Sequence, residues 1–214
     1  FEATRMSGDS SFRKIATSHA DQTMKHHYRP DMSCYHVVDY DSLTGSVRSR
    51  VTAQGYADSS AWARGQAWGL YGYTLCYRYT HDPRYLKQAE EIARFIFTNR
   101  NLPSDLVPYW DYDVPNIEAE PRDASAAAIT ASALYELSTY AGKKQGKAYK
   151  KLADRIVRTL GSPAYRAELG ENGYFVLMHS TGNKPGPSEV DVPLVYADYY
   201  FLEALKRKRD LEAR

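Results

Sequence analysis

The chain has 214 residues, of which 43% are hydrophobic and 25% charged, and its 28 basic and 26 acidic side chains give a formal net charge of +2. This composition is typical of a globular domain, and the sequence has no apolar run of the roughly 18 residues that a transmembrane helix needs. The nearly balanced charge argues against a dedicated nucleic-acid or membrane-surface binder. Cys34 and Cys76 lack any spacing typical of a zinc site or a disulfide scaffold, so we expect two buried free thiols.

Three segments share one pattern, an aromatic residue followed by small or apolar residues four and eight positions later: Phe12/Ala16/Ala20, Tyr85/Ala89/Ala93 and Tyr149/Ala153/Val157. This spacing predicts amphipathic helices that are packed on one side. A helical run precedes each of them, at 1–6, 60–79 and 123–140, and the last two runs are much richer in small and apolar residues. A further buried helix is expected over 196–206. The repeated unit is therefore an αα-hairpin of one buried and one amphipathic helix.

Long stretches separate the hairpins, at 30–58, 101–122 and 162–193, with strand-like pieces at 35–39 and 174–178. They are too long for the turns of an open solenoid, and long ordered connections at one end of a scaffold are where functional sites are usually built. We therefore expect an all-α (α/α)6 toroid of helical hairpins that is only partial in this chain. A closed ring of six hairpins needs on the order of 350 residues, so we expect sequence upstream of the first residue.

The densest group of polar and aromatic residues lies in the segment 52–69. Residues 58–60 (Asp-Ser-Ser) are candidate N-cap residues, which places Trp62, Arg64 and Trp68 in the first turns of a buried helix. An arginine and a tryptophan at such a helix start suit a ring that bears a carboxylate, because guanidinium pairs with carboxylate and indole stacks on the ring. The alternative is a structural Arg–Asp pair with tryptophans in the core.

Other polar residues are weaker candidates. His36, in the first strand-like run, is either structural or a hydrogen-bond partner for a sugar. The segment 179–184 resembles a small polar loop able to hold an anion or a sugar hydroxyl, which makes Ser180 and Lys184 candidate contacts. No metal is assigned, because three further histidines lack a carboxylate-completed pattern: His19, His26 and His27.

Carboxylates matter most if the chain is a glycosidase, since that chemistry usually needs two of them. Asp111, beside a tryptophan on a loop, is the best local candidate for chemistry, and Asp113 follows it, although acids near prolines commonly form turns. Asp123 is expected to cap the helix that follows it. Asp191 and Asp198 lie near the last helix and complete the candidate set.

The segment Trp62-Ala63-Arg64-Gly65-Gln66-Ala67-Trp68-Gly69-Leu70-Tyr71-Gly72 resembles the unsaturated glucuronyl hydrolases, glycoside hydrolase family 88. The related unsaturated rhamnogalacturonyl hydrolases share part of this motif. Other stretches agree with the same family and extend the resemblance over essentially the whole chain: 33–36, 52–56, 108–111, 121–127 and 196–205. The resemblance implies an (α/α)6 barrel, with residues 1–214 forming the C-terminal half of a single catalytic domain.

The resemblance also implies an activity and a set of contacts. The family removes a 4,5-unsaturated uronic acid from the non-reducing end of oligosaccharides that lyases produce, using neither cofactor nor metal. An aspartic acid protonates C4, water adds at C5, and the resulting hemiketal opens and expels the aglycone. By resemblance, five residues line the subsite for the unsaturated sugar, with Gln54 near the attacking water and Arg64 near the carboxylate: His36, Gln54, Trp62, Arg64 and Trp68.

The two aspartates of the family are expected upstream of Phe1, so this chain alone is expected to be an inactive part of a bacterial-type glycoside hydrolase. Its expected partners are an unsaturated oligosaccharide and the N-terminal half of the same barrel, and neither nucleic acid nor a membrane. Three alternatives stay open: an unsaturated rhamnogalacturonyl hydrolase, a non-catalytic sugar-binding remnant, and a helical-repeat interaction scaffold, which the long loops disfavour.

Overall fold

The computed structural model describes residues 1–213 of the chain. These residues form seven α-helices and two β-hairpins, in the order α1 (Glu2–Ser7), α2 (Ser10–His26), β1 (Val37–Tyr40), β2 (Val47–Val51), α3 (Ala63–Thr80), α4 (Pro83–Thr98), α5 (Ala124–Leu137), α6 (Lys143–Leu160), β3 (Ser180–Asn183), β4 (Ser188–Val192) and α7 (Val195–Glu212). Two short 3-10 turns lie at Ile117–Ala119 and Asn172–Tyr174. Both β-hairpins are antiparallel and two-stranded.

Helix α5 is the centre of the packing and contacts α3, α6 and α7. Its first ten residues are alanine, serine and threonine with one isoleucine, and all of them are buried. Such small side chains let neighbouring helices approach on every side. The hairpins α3–α4 and α5–α6 confirm the prediction of one more buried and one amphipathic helix. The further helix expected to be buried over 196–206 is only partly so, because α7 packs on α5 through one face and buries only Ala197, Phe201 and Ala204.

The predicted repeat holds closely in the second and third hairpins. All six of its positions in α4 and α6 are buried: Tyr85, Ala89, Ala93, Tyr149, Ala153 and Val157. In the first hairpin only Ala20 is buried, Phe12 is 45% exposed, and α1 has no buried residue. Among the described residues, no further hairpin covers that side of α1 and α2, so the same apolar pattern faces solvent there.

A partly buried ionic network joins the three helices α3, α5 and α7. Glu136 of α5 binds Arg78 of α3, at 2.5 Å from Nε to Oε1, and Arg207 of α7, at 3.0 Å from Nη2 to Oε2. Glu203 of α7 accepts a hydrogen bond from the Tyr71 hydroxyl at 3.1 Å. Every charge in this network has an opposite partner, which is the condition under which buried charges are tolerated.

The structure corrects the predictions for the third long stretch between hairpins, 162–193. The piece at 174–178 is not a strand but a 3-10 turn followed by an isolated bridge, and the segment 179–184, predicted to be a polar loop, contains strand β3. The segment is a strand because its backbone pairs with β4, and the guanidinium of Arg64 binds two of its carbonyls, those of Thr181 and Gly182. The strand-like run at 35–39 is largely confirmed, with β1 starting at Val37.

The start of α3 also differs from the prediction. The helix begins at Ala63 with Trp62 as its N-cap, and residues 58–60 lie outside it. Those polar side chains bind elsewhere: Asp58 accepts a hydrogen bond from the Thr52 amide, and the Ser60 hydroxyl donates to Asp111 at 2.7 Å. The predicted N-cap role of Asp123 is confirmed, since its Oδ1 accepts from the amides of residues 125 and 126.

No helix within residues 1–213 is long and apolar enough to cross a bilayer. The same residues contain no group of His, Cys, Asp and Glu side chains arranged to hold a metal ion. Cys34 and Cys76 are both free thiols, as the sequence predicts, but only Cys34 is buried and Cys76 is half-buried.

Candidate functional site

A cavity of about 640 Å³ lies between α2, α3 and the loop that precedes β1. Its lining is largely aromatic and apolar and includes three of the residues singled out from the sequence, His36, Trp62 and Trp68. Among the described residues that line it there is no aspartate or glutamate. The cavity therefore offers ring faces and hydrogen-bond donors but no carboxyl group for proton transfer.

Glycines of α3 make room for the cavity and for the aromatic rings beside it. Gly65, Gly69 and Gly72 all line the cavity. A Cβ at Gly69 would lie 2.2 Å from the hydroxyl oxygen of Tyr28, and a Cβ at Gly65 would lie 3.0 Å from Cε3 of Trp62. Gly65 and Gly69 thus let aromatic side chains approach the backbone of α3, and Gly69 also lies against Ile92 of α4.

His36 is held in one tautomer by the backbone of the following loop. Its Nδ1 accepts hydrogen bonds from the amides of Ala53 at 3.1 Å and Gln54 at 3.0 Å. Because both partners donate, Nδ1 carries no proton, and the neutral ring carries its proton on Nε2. The ring also packs against Trp62, with centroids 4.4 Å apart. His36 can therefore act as a neutral hydrogen-bond donor at the wall of the cavity.

We expect His36 to stay neutral to unusually low pH. Burial lowers its pKa, and the positive charge of Arg64 lowers it further. The unfolded chain therefore takes up this proton at higher pH than the folded chain, so the stability associated with the neutral ring is complete above about pH 6.5 and is lost as the pH falls towards the folded-state pKa. Nitrogen NMR should find the Nε2–H tautomer and a pKa below 6.5, and a neutral ring protonated on Nδ1 would contradict this arrangement.

The loop between β2 and α3 is fixed by Asp111, which is completely buried. Its Oδ2 accepts from the Tyr56 amide at 2.9 Å and the Ser60 hydroxyl at 2.7 Å, while Oδ1 accepts from the Asp113 amide at 2.9 Å. Burial raises the pKa of Asp111, and these three hydrogen bonds oppose that rise. Gly55 lies against the carboxylate, since a Cβ there would be 3.1 Å from Oδ2. Asp111 is thus a structural acceptor in this chain.

The other candidate carboxylates have similar structural roles. Asp113 accepts from the Ala61 amide at 2.8 Å. Asp198 accepts from the amides of Val176 and Leu177, at 2.8 Å each. Asp191 pairs with His179 at 2.6 Å. Neither Asp111 nor any of these three carboxylates lines the cavity of His36 and Trp62.

Arg64 forms the structural Arg–Asp pair that the sequence left open as the alternative. Its side chain is 4% exposed, and its Nη1 lies 2.7 Å from Oδ2 of Asp123. Its guanidinium also donates to the carbonyls of Thr181 and Gly182. The cation lies 4.6 Å from the ring centroid of Trp62, on which His36 packs. Its charge therefore reaches the cavity through an aromatic wall.

The structure separates Ser180 and Lys184 from this cavity. Ser180 is fully buried in β3, with no hydrogen-bond partner for its hydroxyl among the described residues, so it is not part of an open loop. Lys184 pairs with Glu120 and lies 5.5 Å from the ring centroid of Trp110. It lines a second, smaller cavity of about 310 Å³ with Tyr56.

Four of the predicted site residues are thus brought together, since His36, Trp62, Arg64 and the backbone of Gln54 are in direct contact. Trp68 lines the same cavity and packs on Tyr200 at 5.2 Å between centroids. Sequence reasoning did not single out Tyr28, and it included Tyr56 only as part of the stretch 52–56 that resembles the family. Their positions depend on contacts between distant segments.

The chain is similar to an unsaturated glucuronyl hydrolase from Formosa agariphila, with 53% identity over 211 residues, covering 99% of this chain and 52% of the relative. It is 36% identical to an unsaturated chondroitin disaccharide hydrolase from Streptococcus pyogenes, covering 97% of this chain and 52% of that one. It matches the crystal structure of an unsaturated glucuronyl hydrolase specific for heparin with a TM-score of 0.96 and 49% identity, covering 99% of this chain and 57% of that one. No protein-family model matches the chain.

The chain spans about half the length of the curated relatives it matches. Its helical hairpins are about half of the α/α barrel of its structural neighbours, as the repeat predicted.

Proposed function

This chain belongs to the unsaturated glucuronyl hydrolases, glycoside hydrolase family 88, and on that basis we propose that it is the sugar-holding part of a glycoside hydrolase. The reaction is release of a 4,5-unsaturated uronic acid from the non-reducing end of lyase-generated oligosaccharides. The observation that carries the proposal is a match over 99% of the chain that includes the aromatic cavity. An unsaturated rhamnogalacturonan disaccharide is the alternative substrate.

The cavity suits a flat, unsaturated ring. Trp68, which is 36% exposed, offers an indole face for stacking, and Nε2–H of His36, packed on buried Trp62, offers a neutral donor for a hydroxyl or a ring substituent. The guanidinium of Arg64 lies behind Trp62, and its positive potential favours binding of a carboxylate in the cavity without touching it. The backbone N–H of Gln54 donates to Nδ1 of His36, which holds Gln54 beside this wall. We assign Gln54 to the attacking water.

The chemistry needs an acid that the described residues do not place in the cavity. Protonation of C4 and addition of water at C5 give a hemiketal, which opens to a ketone and releases the aglycone as an alcohol. We assign the proton donor to the other half of the barrel. The second cavity, with Lys184 and Tyr56, is assigned to the remainder of the oligosaccharide, whereas buried Ser180 is given no contact.

We further propose that residues 1–214 are the C-terminal half of a single catalytic barrel and that the other half covers two apolar edges. At one edge, α7 exposes Val195 at 69%, Tyr199 at 59% and Leu202 at 55%. At the opposite edge, Phe12 and Ile15 of α2 are 45% and 67% exposed. Apolar faces of this kind usually mark a contact surface.

The test uses a chimera in which this chain replaces the matching half of the Formosa agariphila relative. The chimera should consume an unsaturated glucuronyl disaccharide, followed as loss of ultraviolet absorbance from the C4–C5 double bond. Trp68→Ala should weaken binding of the disaccharide about tenfold, equivalent to about 1.4 kcal/mol. Tyr174→Ala, at a tyrosine that is 87% exposed and outside the cavity, is the control.

Faster turnover of an unsaturated rhamnogalacturonan disaccharide would transfer the proposal to that substrate. Binding by calorimetry without turnover in the folded chimera would favour the sugar-binding remnant. Equal effects of Trp68→Ala and Tyr174→Ala would remove Trp68 from the site.

A further inference from the structure

The outer face of α6 carries a continuous stripe of basic side chains. Five exposed residues form it: Lys144, Lys147, Lys151, Arg155 and Arg158. At 100° per residue they fall within an arc of about 80°, and the stripe runs for about 21 Å along the helix. The buried residues of α6, among them Tyr149, Ala153 and Ile156, lie on the opposite side. The stripe therefore points away from the packed hairpins.

This helix concentrates charge that the rest of the chain does not have. The 18 residues of α6 include seven basic residues and one acidic residue, for a formal charge of +6. The remaining 21 basic and 25 acidic residues of the chain give −4. The outer helix α4, in the equivalent position of the previous hairpin, has three basic and two acidic residues and so lacks such a stripe.

No acidic side chain interrupts the stripe, and the acids near α6 have partners or lie on its flanks. Asp154 pairs with Lys150 at 2.9 Å, and Glu212 of α7 lies 3.7 Å from the same lysine. Glu90 and Glu91 of α4 face the groove beside Tyr149, on the inner flank of α6. Within residues 1–213, none of the five stripe residues forms an ion pair, and Arg155 donates only to a backbone carbonyl.

We propose that this stripe is a docking surface for an extended anionic polysaccharide, distinct from the cavity that holds the terminal sugar. Basic residues at spacings of three and four place a cation about every 5 to 6 Å along the helix, which suits a linear chain with carboxylate or sulfate groups on successive sugars. The stripe has no aromatic residue on which bases could stack, which disfavours single-stranded nucleic acid. The choice of a polysaccharide among polyanions rests on the proposed function.

The two surfaces lie on different elements, so they can be tested separately. Helix α6 packs on α5 and α7, whereas α2, α3 and the loop before β1 line the cavity. A polymer held on α6 would keep anionic chains close to the enzyme while lyase products with unsaturated ends form around it. Binding on α6 is electrostatic and should weaken steeply with added salt.

The experiment measures binding of the 214-residue chain to heparin, to alginate, which has carboxylates only, and to a 20-base-pair DNA duplex. One variant changes the five stripe residues to glutamine, which preserves helix propensity. The matched control changes three lysines and two arginines that are exposed elsewhere, with the same final net charge: Lys14, Lys25, Lys87, Arg13 and Arg100. We expect the stripe variant to lose affinity for heparin about tenfold or more and the control to keep most of it.

Equal losses in the two variants would show an effect of net charge alone and would overturn the docking surface. Absence of heparin and alginate binding by the parent chain would do the same. Tighter binding of the DNA duplex than of either polysaccharide, at the same salt concentration, would overturn the choice of partner. Trp68→Ala should keep heparin binding, so failure of the sugar site and failure of the α6 surface give different results.

Discussion

Purified alone, the 214-residue chain is expected to release no unsaturated uronic acid from a disaccharide that its relatives would cleave. The described residues that line the cavity include no carboxyl group. Asp111, the best candidate from the sequence, is completely buried and accepts three hydrogen bonds. Asp113 accepts a hydrogen bond from the backbone amide of Ala61. Without a proton donor for C4, binding by Trp68 and His36 cannot lead to addition of water.

The measurement compares the chain with the chimera that adds the other half of the Formosa agariphila relative. Loss of ultraviolet absorbance should be found for the chimera only, and general acid catalysis typically contributes 10²–10⁴-fold to a rate. Calorimetry on the chain alone separates loss of chemistry from loss of binding. Turnover by the chain itself, abolished by Asp111→Asn or Asp113→Asn, would contradict the prediction and restore one of these residues as the acid.

The helices could be predicted from the sequence because their pattern is local. Tyr85, Ala89 and Ala93 repeat at helical spacing, and the small residues at the start of α5 can be packed on all sides wherever the helix lies. The N-cap role of Asp123 is also a local feature, since its partners are the next few amides. Such features need no knowledge of tertiary structure.

The partners of the site residues could not be predicted because they come from distant parts of the chain. Arg64 binds carbonyls 117 and 118 residues further on, which lie in strand β3. Asp111 finds Tyr56 and Ser60 at separations of 55 and 51 residues. The sequence supplied candidate side chains, but whether each one is free or already bonded depends on the tertiary fold.

Asp123→Asn is expected to cost about 3–5 kcal/mol in the free energy of unfolding, the largest effect on stability of the changes considered. Asparagine is as good an N-cap as aspartate, so the start of α5 keeps its cap. The cost comes from Arg64, whose guanidinium is 4% exposed and would lose its carboxylate at 2.7 Å. A buried cation left with neutral carbonyl partners is poorly compensated.

The matched control is Asp82→Asn, at the N-cap of α4. Asp82 also caps a helix and pairs with an arginine, Arg84, at 2.7 Å, but that arginine side chain is 57% exposed. Solvent screens such a pair, so the control should lose only a small fraction of the stability that Asp123→Asn loses. Urea unfolding of the two variants and the parent gives the comparison, and equal losses would mean that Arg64 does not depend on Asp123.

The same substitution should disturb the cavity before the protein unfolds. Arg64 lies against Trp62, and Trp62 packs on His36, so a displaced guanidinium changes the environment of both rings. Under conditions where Asp123→Asn is still folded, we expect altered tryptophan fluorescence and an altered His36 pKa, because the charge that helps to lower this pKa has moved. An unchanged His36 resonance in a destabilised variant would separate the role of Arg64 in folding from its role at the cavity.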